Sequence, residues 1–160
     1  MFITDKIIAA FNRQVTQEYN NYLQYSAIAN WFAGQDLKLL AKMFTKQADE
    51  ERDHAQRFTN FLIDSGAPVE IQAIPAQKNE FASALEAAQT AFDAEVRTTN
   101  QINDLLSLAI SEKSFSAQQF LQWFVAEQVE EIATAQTNLN IIKKAGNNLL
   151  MVEAYLAHGS

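Results

Sequence analysis

Apolar residues recur at steps of three and four along four long stretches of this chain, the spacing of one face of an α-helix. The first stripe reads Ile8, Phe11, Val15, Glu18, Tyr22, Tyr25, Ala29, Phe32, and the second Leu40, Phe44, Gln47, Glu51, His54, Phe58, Phe61. The third reads Phe81, Leu85, Ala88, Phe92, Glu95, Thr99, Ile102, Leu106, Ala109, and the fourth Ala117, Leu121, Phe124, Gln128, Glu131, Ala135, Leu139, Ile142. Sparse punctuation sets the ends. Thr4 is placed to cap a helix running to Phe32 and Ala33, with Gly34 just beyond it. Asp36 is placed to cap a second helix running to Ser65, stopped by Gly66 and Pro68. A connection from Ala67 to Lys78 holds both prolines and the alternating pair Val69 and Ile71. Asn79 starts a third helix reaching about Ser111, and Ser116 a fourth reaching Ala145 before Gly146. A short apolar helix from Asn148 to Ala157 follows.

Four helices of this length span roughly 45 Å each at 1.5 Å per residue. The first and second are joined by a short link, as are the third and fourth, so each pair is expected to run antiparallel. The middle connection is long enough to cross the bundle. The expected architecture is all-α: one domain over residues 1–160, a four-helix bundle with one long crossover connection and a short fifth C-terminal helix.

Composition narrows the chemistry. The 160 residues carry 12 Lys+Arg against 19 Asp+Glu, a net charge of −7, so holding nucleic acid through phosphate contacts is disfavoured. There is no cysteine, which excludes a disulfide scaffold, a zinc ribbon and a thiol catalyst. Charges interrupt the N-terminal segment where a secretion signal needs an apolar run, and no stretch is apolar enough to span a membrane. A cytoplasmic protein without nucleic-acid or membrane partners is expected. Only His54 and His158 are present, so a metal site here must be built mainly from oxygen ligands.

The stripes are apolar except near the middle of each helix, where Glu18, Glu51, His54, Glu95, Gln128 and Glu131 interrupt them. In an antiparallel bundle all six fall at the same height. A carboxylate buried without a partner is costly and ordinarily takes up a proton. Four glutamates converging at one level repel one another unless cations sit among them, and oxygen ligands with one imidazole suit iron or manganese. Bundles that hold two carboxylate-bound metals use a Glu from each of two helices and a Glu-x-x-His from each of the other two. Gln47, Thr99 and Asn138, on or beside the stripes, are read as structural.

Spacing supports the same grouping. Glu18 and Glu51 are 33 residues apart, as are Glu95 and Gln128, and Glu51/His54 and Gln128/Glu131 are each three apart. The two hairpins read as degenerate copies of one unit, with Glu-x-x-His in the first and Gln-x-x-Glu in the second. Glu51 is able to bridge two metals; neutral Gln128 is a poor bridge. A tighter ion is therefore expected at Glu18, Glu51 and His54, and a weaker one at Glu51, Glu95 and Glu131.

Gln17-Glu-Tyr-Asn-Asn-Tyr-Leu-Gln-Tyr, Asp49-Glu-Glu-Arg-Asp-His-Ala, Glu95 and Gln122-Trp-Phe-Val-Ala-Glu-Gln-Val-Glu-Glu together resemble the bacterial non-haem ferritins, over essentially the whole chain. The resemblance implies a ferritin-like bundle and a homo-oligomeric, hollow 24-subunit shell. That shell would oxidise Fe(II) with O2 or H2O2 at a di-iron ferroxidase centre and store ferric mineral. It implies a first iron position at Glu18, Glu51 and His54 and a second at Glu95 and Glu131, with Glu51 bridging and Gln128 close by. A third iron position would fall on Glu50, Glu127 and Glu130, sharing Glu131; the same residues also read as a solvated acidic face. Tyr25 matches a tyrosine that the family keeps beside its metals as an electron donor, and Trp123 matches its tryptophan. Bacterioferritins would have histidine in place of Glu131 and a haem-ligating methionine in place of Arg52, so no haem is expected. Ala94 stands where many bacterial ferritins carry histidine. Miniature DNA-protecting ferritins use histidines of the first helix, which has none here.

Two rival readings fit the residues less well. A rubrerythrin-like di-iron peroxidase lacks support because the second Glu-x-x-His and rubredoxin cysteines are missing. A catalytically silent storage or scaffold subunit conflicts with a complete ligand set. For assembly, Val69/Ile71 are candidates to meet a twofold mate, and Leu149, Leu150, Val152 and Leu156 to line a symmetry axis. Glu112 is a candidate for a channel admitting iron.

Overall fold

The computed structural model describes residues 3–159. Among them lie five helices: α1 (Asp5–Gly34), α2 (Lys38–Asp64), α3 (Ala84–Ser111), α4 (Phe115–Ala145) and α5 (Leu149–His158). No strand occurs among the described residues, and no helix there is long and apolar enough to cross a membrane. α1 packs on α2, α3 on α4 and α1 on α3, while α5 closes one end against α2 and α4. α3 is alanine-rich where it is buried (Ala84, Ala87, Ala88, Ala91, Ala94). α2 and α4 meet instead through aromatic rings, Phe58 lying 4.5 Å from Phe124 and Phe61 4.5 Å from Phe120, centroid to centroid. Two apolar clusters result, one toward each end of the bundle, and the polar residues of the four stripes lie between them.

Helix ends follow a rule that sequence spacing did not expose. Thr4 caps α1 as expected, its hydroxyl accepting from the Ile7 amide at 3.4 Å. Asp36, expected to cap α2, instead takes the left-handed conformation at φ 60°. The Leu37 amide donates to the Phe32 carbonyl and the Asp36 amide to the Ala33 carbonyl, so Asp36 closes α1 in the position that glycine ordinarily fills. Gly34 lies inside the helix. Lys113, φ 55°, closes α3 the same way, which moves the α4 cap from Ser116 to Ser114. The third helix begins at Ala84, capped by Ser83, not at Asn79. Leu85, counted on the third stripe, is exposed because Ala84, Ala87 and Ala88 form the inward face.

The crossover therefore runs from Ser65 to Ser83 without regular structure. It is strapped to α1 by side chains four residues apart. Asn12 Nδ2 donates to the Pro68 carbonyl at 3.0 Å and Asn12 Oδ1 accepts from the Glu70 amide at 2.7 Å. Thr16 Oγ1 accepts from the Gln72 amide, Asn20 Oδ1 from the Gln77 side chain, and Gln24 binds both backbone groups of Lys78. This ladder satisfies extended backbone that has no strand partner within the subunit. Val69 packs under it and Ile71 points outward.

α2 has no side-chain cap of its own. Its first turn is capped from α5, where the Glu153 carboxylate accepts from the Leu39 amide at 2.9 Å and the Leu40 amide at 2.8 Å. Negative charge at a helix N-terminus is favourable both as a hydrogen-bond acceptor and against the helix dipole. Val152 is buried beside this contact, with Leu149 and Leu156 packed against the core, whereas Leu150 and Met151 remain exposed. Three of the four tail residues expected at a symmetry axis are thus engaged within the subunit. Glu153→Ala is expected to cost about 1 kcal/mol of stability, the size of a lost N-cap. Hydrogen exchange should show the loosening first in residues 149–158; a denaturation midpoint equal to wild type would exclude the cap.

Candidate metal centre

At mid-bundle, α1 contributes Glu18, α2 Glu51 and His54, α3 Glu95, and α4 Gln128 and Glu131, all buried. Three groupings of ligating atoms lie within 4.8 Å of one another: Glu18/Glu51/His54, Glu51/Glu95/Glu131 and His54/Glu127/Glu131. The first two share Glu51. Glu18 and Glu51 are each 0% exposed. Glu127 is half-buried, Glu50 is half-buried with its charge felt at Glu131, and Glu130 is exposed and belongs to none of these groupings.

Hydrogen bonding divides the centre in two. Tyr25 donates to Glu95 Oε1 at 2.5 Å, and the Gln128 amide reaches Glu95 Oε2 at 3.2 Å. Thr99, read as merely structural from the sequence, accepts from the same Gln128 nitrogen at 3.0 Å and anchors it by donating to the Glu95 carbonyl. Gln47 and Asn138 line a largely apolar cavity of about 10 Å³ beside Tyr25, with Phe44, Ala88 and Ala91. At the other position the carboxylates are poorly supplied with donors. Glu18 Oε2, both oxygens of Glu51 and His54 Nδ1 are buried without a hydrogen-bond partner. Four such atoms match the few per hundred residues of native proteins in number, but here all of them lie in one place.

Charge explains the cost of leaving them so. Burial drives Glu51 well above the ordinary carboxylate range, reinforced by the charges of Glu18 and Glu95. Burial, with the charges of Glu95 and Glu50, pushes Glu131 from 4.5 up to about 9. Burial also raises Glu95, although the Tyr25 and Gln128 hydrogen bonds oppose the rise. Burial acts upward on Glu18 too, but His54 and Glu51 outweigh it and hold Glu18 below its usual value. Burial alone would lower His54, yet the Glu18 carboxylate raises it above the ordinary imidazole range. Glu51 Oε2 is nearer to His54 Nδ1 (3.4 Å) than Glu18 Oε2 is (3.8 Å). Glu18 nonetheless holds the negative charge, because Glu51 faces more carboxylates. The Tyr25 phenol is pushed far up by burial and by Glu95, so it stays protonated and donating.

The donor set fits two divalent cations that favour oxygen with one nitrogen, iron among them. Cations would ligate the orphaned atoms and supply the positive charge that the carboxylates lack. His54 is held for this by its neighbours, lying edge-on to both Trp123 and Phe124 at 5.6 Å, and the Arg57 guanidinium stacks 3.7 Å over Trp123. Trp123 is half-exposed and covers the ring from outside. Arg52 points to solvent, near Asp49. Glu112 ion-pairs with Lys6 at 3.3 Å.

Fold and centre together define a class: four-helix bundles whose core carries a buried cluster of carboxylates and histidine able to hold metal. Comparison with known proteins narrows it. The ferritin-like domain matches residues 8–145. Ferritin BfrB of Mycolicibacterium smegmatis is 41% identical over 152 residues, covering 95% of this chain and 84% of that protein. A bacterial non-heme ferritin of Staphylococcus aureus is 32% identical over 146 residues, covering 91% and 88%. Among solved structures, an open pore ferritin from the hyperthermophilic archaeon Archaeoglobus fulgidus superposes with a TM-score of 0.94 at 32% identity, covering 98% of each chain. The chain belongs to the ferritin family, the iron-storing members of this class.

A pH dependence follows from the raised carboxylates. Glu131, unfolded near 4.5 and folded near 9, binds a proton more tightly in the native state, so native stability falls as pH rises between those values. Glu51, Glu95 and His54 act in the same direction and Glu18 against it. Metal-free protein should therefore be more stable at pH 6 than at pH 9, and Glu131→Gln should flatten the slope. Chemical denaturation at the two pH values measures this; an equal slope in the variant would remove Glu131 as its source.

Proposed function

We propose that this ferritin is a ferroxidase whose substrate Fe(II) binds at Glu18, Glu51 and His54 and at Glu51, Glu95 and Glu131. The observation that carries the reading is the cluster of orphaned atoms, Glu18 Oε2, both Glu51 oxygens and His54 Nδ1. Such a site is costly as a structural core and favourable once cations arrive. Binding displaces the protons that burial holds on Glu51 and Glu131, so Fe(II) uptake releases protons. Each Fe(II) gives up one electron. The pair together reduces O2 with two protons to H2O2, or H2O2 with two protons to two waters.

The residues divide the work. Glu51, donor-free on both oxygens, is placed to bridge the two ions. Glu95, with both oxygens bonded to Tyr25 and Gln128, is the more committed ligand and marks the second position as the weaker one. Tyr25 sits where it is able to supply a further electron and proton. Glu127, beside His54 and Glu131, with Glu50 near and Glu130 on the exposed side, provides a third position through which ferric product leaves. The product is stored as mineral in a homo-oligomeric cage of 24 copies in the cytoplasm.

Glu18→Ala or His54→Ala should slow Fe(II) oxidation by at least about tenfold, since even residues that only support ligands contribute that much. Helix content should be unchanged. Stopped-flow kinetics equal to wild type in both variants would overturn the assignment. Gel filtration should show a particle near 24 copies of the 18.0 kDa chain; a dimer would contradict the cage.

A further inference from the structure

Gln14 lies one helical turn before Glu18 on α1 and is only 4% exposed. Its Nε2 donates to Glu18 Oε1 at 3.0 Å and reaches Oε1 of Gln101, on α3, at 3.4 Å. The reversed amide would set its oxygen against a carboxylate oxygen, so the network itself selects this orientation. Residues four apart on a helix are neighbours, and here the neighbour is the one carboxylate of the first position whose two oxygens are treated unequally. Oε1 has a donor. Oε2 has none and faces His54 Nδ1 at 3.8 Å.

Rotation about the terminal carboxylate bond is otherwise soft, with a broad two-fold preference. An amide fixed from a second helix removes that freedom. On its outer side Gln14 lines a polar groove of about 260 Å³ between α1 and α3, with Arg13, Gln17, Gln101 and Asp104. Of these lining residues, Gln14 is the one hydrogen-bonded to a carboxylate of the centre.

We infer that Gln14 is a positioning residue for the first metal position: by holding Glu18 Oε1 it turns Oε2 toward Glu51 and His54 and sets the affinity of those three ligands for a divalent cation. The inference rests on the two-metal reading of the centre, and it concerns binding before any oxidation.

The test is titration of the assembled protein with Co(II), followed by calorimetry and by the visible absorption of the bound ion. Gln14→Met keeps the side chain's length and removes its donor. It should weaken the tighter Co(II) equivalent about 10–100-fold and alter its absorption bands. The second equivalent, at Glu51, Glu95 and Glu131, should weaken much less, because it is coupled to Gln14 only indirectly, through the shared Glu51. Gln14→Asn, too short to span to Glu18, is the substitute should Gln14→Met fail to assemble, with the same outcome expected. Equal weakening of both equivalents would make Gln14 merely structural and overturn the inference, as would an unchanged first equivalent. Glu18→Gln separates the two readings. Loss of the first equivalent in Glu18→Gln with no effect of Gln14→Met defeats only the positioning role, whereas no effect of Glu18→Gln defeats the two-metal reading and the inference with it.

Discussion

Mutual repulsion among buried carboxylates is the constraint on which the rest of this molecule depends. Glu18, Glu51, Glu95 and Glu131 are brought to one height from all four long helices and closed off from water. Nothing among the described side chains supplies a permanent positive charge to them; His54 is the sole basic group in the cluster. Burial and mutual repulsion raise Glu51 and Glu131 toward their protonated forms, and Glu51 and His54 keep unused hydrogen-bonding capacity. The arrangement is stable enough to fold and unsatisfied enough to bind.

The surrounding structure makes that tension tolerable. Apolar clusters above and below fix the helices, so the polar layer does not have to provide the packing. Aromatic contacts hold α2 against α4, and side-chain hydrogen bonds join α3 to α1. The difference matters chemically. The α2–α4 seam encloses His54 with Trp123 and Phe124, while the α1–α3 seam is polar and carries Gln14, Gln101, Asn21 and Thr98. Each seam orients a different part of the Glu18/Glu51/His54 cluster.

Much of this was legible in the chain itself. The four stripes, the single crossover and the six interruptions are consequences of a 3.6-residue period, which sequence displays directly. Local chemistry was harder to see. Asp36 and Lys113 hold left-handed positions that glycine normally fills, so neither announces a helix end, and the caps of α2 and α4 fall at Leu37 and Ser114 instead of Asp36 and Ser116. The cap of α2 comes from Glu153, more than a hundred residues away, and no local pattern announces such a contact. The ladder Asn12, Thr16, Asn20, Gln24 was visible as a four-residue polar repeat, but its partner is irregular backbone without a sequence signature. Within the centre, Thr99 passed as structural, and Gln14 passed unnoticed although its spacing from Glu18 was a usable sign.

In the proposed function two cations share Glu51. Soaking crystals anaerobically in Fe(II) and collecting anomalous diffraction at the iron edge would reveal them. Two peaks per subunit are predicted, one ligated by Glu18, Glu51 and His54 and the other by Glu51, Glu95 and Glu131. A single peak, or iron found only on exposed glutamates such as Glu130, would contradict it.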